Sequence, residues 1–152
     1  MTFWKINWLR SAKRTAIRFL QLPCREKVLL VKAMAILLTL RIALCALPFR
    51  TLYRSVAERR TSFKSGKPSA SEEGIIWAVR TASRLVPRAS CLTQAMAAQI
   101  LLSESGYRSD LRIGVARSGT DPLKAHAWLE KDGRVILGGP MCDYKPLSLE
   151  GL

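Results

Sequence analysis

Two residues in this chain have the right types for nucleophilic chemistry. Cys91 opens the stretch "CLTQAMAAQILL", and the single histidine, His126, lies thirty-five positions later in "KAHAWLE". A thiol attacks carbonyl carbon as its thiolate. The unsatisfied N–H groups and dipole at a helix N-terminus favour that anion, and a neighbouring imidazole can take the thiol proton. Ser90 is a suitable N-cap, which places Cys91 at the first position of a helix. The alternative is a small apolar residue in helix packing, with a histidine satisfied by a backbone carbonyl. The residues alone leave both readings open.

Other chemistries have less support. The four cysteines, at 24, 45, 91 and 142, have no zinc-ligand spacing, and one histidine cannot complete a site. No glycine loop of the Walker type marks a nucleotide site. No short apolar segment ending in a small-residue cleavage motif stands near the N-terminus. The expected location is therefore the cytoplasm, with reduced thiols.

Charge divides the chain. Residues 1–70 carry 15 basic and 2 acidic side chains, a net of +13, whereas residues 71–152 carry 10 and 9, a net of +1. The front half thus suits an acidic partner or an anionic membrane surface, or is simply a solvated basic face. No nucleic-acid reading motif accompanies the basic residues, so no nucleic acid is expected as partner.

The elements that must position Cys91 and His126 follow from periodicity. Residues 3–20 form an amphipathic pattern with Trp4 and Trp8 on one side and Arg10, Arg14 and Arg18 on another, closed by Pro23. Residues 25–49 are apolar all round. Arg41 near the middle of that run argues for a buried or partner-covered helix rather than a membrane span. Residues 60–74 read as a linker, with a domain boundary near residue 70. Ser71 caps a helix that carries Glu72 and Glu73 in its first turn and reaches Val86 before Pro87. The Cys91 helix runs to Ser105 and stops at Gly106. The period then becomes two: "DLRIGVA" is a strand, "KAHAWLE" a second, Asp132-Gly133 a two-residue turn and "RVILGG" the returning strand. On the second strand His126, Trp128 and Glu130 share one face, and Ala127 and Leu129 face the core.

"CLTQAMAAQILLSESGYRSDLRIGV" followed by "AHAWLEKDGRVILGG" resembles the lasso-peptide biosynthesis B2 proteins, transglutaminase-like cysteine peptidases that remove the leader from a lasso precursor. The resemblance spans roughly residues 75–147, and "LPFRTLY" looks like the usual front end of these proteins. It implies an α+β fold: a helical N-terminal region, 1–70, and a small transglutaminase/papain-like domain, 71–152, with a nucleophile-bearing helix on an antiparallel sheet. It also implies Cys91 as nucleophile, His126 as base, a precursor peptide as substrate, and a separate leader-binding protein and cyclase as partners. The chemistry calls for no metal or organic cofactor.

One feature departs from the family. Its triad ends in an aspartate about a dozen residues after the histidine. If Lys131 pairs with Arg134, His126 faces Gly139, so the carboxylate slot falls on Gly138 or Gly139, neither of which has a side chain. Glu130 and Asp132 lie about 13 and 20 Å along the strand from His126. Asp143, from the tail, is the remaining carboxylate to orient the ring; a backbone carbonyl or Gln94 can also serve. N–H groups at the helix start, with Gln94, are the candidate oxyanion donors. The competing reading is a non-catalytic scaffold that works through its basic front helices, docked on a partner protein or against a membrane.

Overall fold

The structure is a computed structural model and describes residues 23–61, 68–87, 89–116, 124–139 and 144–147. The amphipathic segment 3–20, residues 62–67 of the linker, and Asp143 lie outside the described residues; of the rest of the linker, residues 60–61 and 72–74 are helical.

Among the described residues four helices precede a small sheet. Helix α1 spans Cys24–Ala46 and α2 spans Phe49–Thr61. The apolar run therefore ends three residues earlier than its composition suggests, where Leu47 turns to extended backbone (ψ 148°) ahead of Pro48. Helix α3 spans Glu72–Ser83, with the Ser71 hydroxyl accepting from the Gly74 N–H at 3.2 Å. It stops short of Val86, because Leu85 and Val86 close turns back onto the Ala82 carbonyl. Helix α4 spans Cys91–Glu104; Ser90 caps it by accepting from the Thr93 N–H at 3.2 Å, and Gly106 follows at φ 84°.

Strands β1 (Asp110–Ala116), β2 (Lys124–Lys131), β3 (Arg134–Leu137) and the two-residue β4 (Lys145–Pro146) form one antiparallel sheet in the order β3-β2-β1-β4. Asp132 and Gly133 turn the hairpin with φ of 50° and 74°, the left-handed pair that a two-residue turn demands. The short β4 has no alternating signature of its own; its pairing with Gly114 and Val115 defines it.

Helix α4 is the central layer. It packs on α1, α2 and α3 and, across its other side, on β2 and β1. One continuous core joins Leu30, Leu37 and Leu52 from the front helices to Ile75, Met96, Leu102, Ala127 and Leu129. Hydrophobic packing thus runs through residues on both sides of position 70. At one end of this layer the Lys131 ammonium bonds the Glu72 carboxylate and sits 5.0 Å from the Tyr107 ring centroid, tying the start of α3 to the end of β2.

Candidate active site

The Ser90 cap fixes the first turn of α4, so Cys91 stands at its first position, half-buried and packed against the edge of the core. Its thiol is free. Gln94 reaches back over this turn: its Nε2 donates to the Ala89 carbonyl at 3.3 Å. The Ser90 and Thr93 hydroxyls bond each other at 2.8 Å.

The other end of α4 determines where this turn lies. The Tyr107 N–H bonds the Leu102 carbonyl at 2.8 Å, and Gln99 Nε2 bonds the Ser109 carbonyl at 3.2 Å. The chain reverses there into β1. Fourteen helical residues rise about 21 Å, and seven strand residues cover about 23 Å. The start of α4 therefore comes level with the end of β1 and the beginning of β2. His126 is the third residue of β2, opposite Gly114. Cys91 and His126 share one end of the domain. The core side of the sheet is open there, with Ala125 exposed and Val115 only half-buried.

They approach that end from opposite faces. Helix α4 packs on the face bearing Ala127 and Leu129. His126 alternates to the other face with Trp128 and Glu130. Its described partners are the Gly138 carbonyl and the Tyr144 ring, whose centroid is 5.3 Å from that of the imidazole. The described hydrogen bonds include none between Cys91 and His126.

The His126–Gly138 bond accounts for the missing carboxylate. His126 Nε2 lies 2.7 Å from the Gly138 carbonyl oxygen. A carbonyl only accepts, so Nε2 carries the proton, and in the neutral ring the Nδ1 lone pair is left to take one. Gly138 adopts φ 118°, and a Cβ built there would stand 2.5 Å from the Trp128 Cβ. No side chain fits this backbone, so the slot orients the ring through its carbonyl. The expected register is corrected in detail. Lys131 does pair with Arg134, but a bulge between Leu129 and Glu130 shifts the ladder by one, so that Leu129 faces Leu137. His126 is therefore not opposite Gly139. Gly139 itself is exposed, with nothing near its absent side chain.

Of the carboxylates weighed from the sequence, the two described, Glu130 and Asp132, serve elsewhere. Glu130 accepts from Trp128 Nε1 at 2.7 Å and from Arg112 Nε at 3.1 Å. Asp132 is in the exposed hairpin turn. Tyr144 was not among the residues expected at the site. Its signal in sequence is only a lone aromatic beside a strand too short to show a period. Trp128 is buried on the His126 face, and its ring lies so close over β1 that a Cβ at Gly114 would fall 2.8 Å from it. Among the described residues no group of His, Cys, Asp and Glu is placed to hold a metal ion.

A family model of the transglutaminase-like superfamily matches residues 34–148, from the middle of α1 to just beyond β4. No curated protein and no solved structure matches the chain. Members of the superfamily are often cysteine peptidases or transferases. The α+β architecture, with a cysteine at the start of a central helix packed on an antiparallel sheet, agrees with that match, and the chain belongs to the transglutaminase-like superfamily.

Proposed function

We propose that the chain is a cysteine peptidase that removes the leader from a lasso-peptide precursor, acting with a separate leader-binding protein and a cyclase. One observation supports the reading: within a transglutaminase-like domain, a free thiol stands at a capped helix start, and the only histidine has its Nε2 held by the Gly138 carbonyl, which leaves Nδ1 as acceptor. The choice of a lasso precursor over other peptides rests on the sequence resemblance that pairs the "CLTQA" helix start with "AHAW".

In this mechanism Nδ1 of His126 takes the thiol proton, a step that requires the ring and the thiol, which approach from opposite faces of the sheet, to be brought together at this end of the domain. The thiolate attacks the scissile carbonyl carbon, forming the C–S bond. The oxyanion is held by N–H groups at the start of α4, with the second amide hydrogen of Gln94 as a further donor. The C–N bond then breaks as the imidazolium returns its proton to the leaving amine. Water, deprotonated by Nδ1, hydrolyses the thioester and frees the leader and the enzyme.

Cys91→Ala and His126→Ala are each expected to abolish cleavage of a precursor peptide in the presence of the leader-binding partner, followed by mass spectrometry, with circular dichroism unchanged. Cleavage retained by Cys91→Ala refutes the assignment. His126→Ala is also expected to slow alkylation of Cys91 by iodoacetamide. Equal alkylation rates would separate the imidazole from the thiol.

A second reading, a non-catalytic scaffold, draws on the separate partners of Cys91 and His126 and on the exposed apolar side of α1. It predicts that Cys91→Ala leaves precursor maturation in the assembled system untouched.

A further inference from the structure

Helix α1 has two apolar faces, and among the described residues only one of them packs into the core. Leu30, Ala33, Leu37 and Leu40 lie in the core, all at most 5% exposed. On the opposite side Val28, Val31, Leu38 and Ile42 are exposed by 67, 54, 44 and 68%. With Cys24 and Ala35, both also exposed, they alternate steps of four and three residues, which lines them up along the helix. Single exposed apolar residues need no explanation, but an uninterrupted stripe this long does.

The borders of the stripe identify its occupant. One step to either side stand Arg25 and Lys32 along one edge and Lys27 and Arg41 along the other. Lys32 also pairs with Glu104 at 2.6 Å, with both side chains about half exposed. A seam between two copies of α1 would set these basic edges against each other, which disfavours self-pairing. A surface that takes apolar side chains at its centre and is negative on both sides satisfies the pattern; an anionic lipid interface is such a surface, with the basic side chains reaching the headgroups. Among the described helices α1 is the one long and apolar enough to cross a membrane. Its inner face, however, is committed to the core, so crossing would require that core to open.

We propose that α1 lies in the plane of an anionic bilayer surface, its Val28–Ile42 stripe sunk among the acyl chains and its basic edges against the headgroups, with the rest of the domain held above. The membrane contact is independent of catalysis and can be measured without substrate. The full chain is expected to co-sediment with vesicles of phosphatidylcholine and phosphatidylglycerol, and not with phosphatidylcholine alone. Val31→Ser/Ile42→Ser alters only exposed positions. It is expected to weaken binding by about tenfold or more while leaving the circular dichroism and thermal midpoint unchanged. Arg25→Gln/Arg41→Gln is expected to weaken it as well, and raised salt to reduce it in the wild type. Binding that the stripe variant does not weaken places the lipid contact elsewhere and overturns the proposal. So does equal binding to both vesicle types, or no binding with a wild-type oligomer that the stripe variant converts to monomer, which would make the occupant a second copy.

Discussion

Helices α1 and α4 look alike in sequence and differ in surroundings. Neither has a continuous polar face. In α4 ten of the fourteen residues are buried, because helices close on it from one side and the sheet from the other. In α1 the buried set is four of twenty-three, a single stripe. Apolar residues all round are thus fully accounted for by packing in α4 and only half accounted for in α1. Burial demands small and close-fitting side chains, as in "AMAA" of α4, whereas the outer stripe of α1 carries branched side chains that stay exposed. The comparison separates what holds this domain together from what it offers outward.

The contrast is broken most sharply by truncation. Leu102→Ala in α4 and Leu37→Ala on the inner face of α1 each remove a side chain that is fully buried. Each is expected to cost about 3 kcal/mol of stability in chemical denaturation. Ile42→Ala, on the outer face of the same helix, is expected to change stability by about 0.5 kcal/mol or less. A loss at Ile42 comparable to that at Leu37 would mean that the outer stripe is covered within the fold.

A smaller effect belongs to the site end. Gly138→Ala forces a side chain onto φ 118° and into Trp128, and is expected to cost about 1–3 kcal/mol. Because the same peptide bond carries the oxygen that holds His126, the variant should also lower the cleavage rate by more than its folded fraction explains. NMR of the His126 imidazole reads the tautomer directly: the wild type is expected to show the proton on Nε2, and Gly138→Ala a mixture. An unchanged tautomer would mean that the carbonyl does not orient the ring.

Much of this arrangement was legible from local chemistry. The Ser71 and Ser90 caps, the Gly106 stop and the Asp132-Gly133 turn each rest on a preference of one or two residues, and each is found in place. The alternation that sends Ala127 and Leu129 inward and His126 outward was equally readable. Long-range packing was less so. The bulge at Leu129 and Glu130 leaves no local signature, yet it moves the residue opposite His126. A backbone carbonyl was one of the groups the sequence allowed to orient the ring, but a side-chain pattern does not say which carbonyl; the Gly138 oxygen, at the expected carboxylate position, is the one against the imidazole. The face on which α4 lies was likewise invisible, because helix-then-hairpin order permits either.

The end of the domain far from Cys91 gives the smallest predicted effect and the clearest pH signature. Lys131 bonds Glu72, and the Glu72 carboxylate, with lesser help from Asp132 and Tyr107, holds the ammonium above the ordinary lysine value of 10.5. Partial burial works in the opposite direction and loses. A group whose pKa is raised on folding lends its stability while it is protonated in both states. That contribution is complete below pH 10.5 and fades as the pH climbs through the higher folded value. Both side chains are about one-quarter exposed, so solvent screens the pair and Lys131→Met is expected to cost on the order of 1 kcal/mol at neutral pH. Thermal unfolding at a series of pH values should show the wild type and Lys131→Met converging only above pH 10.5. Convergence near neutrality would mean that packing, rather than the ion pair of Lys131 with Glu72, ties α3 to the sheet.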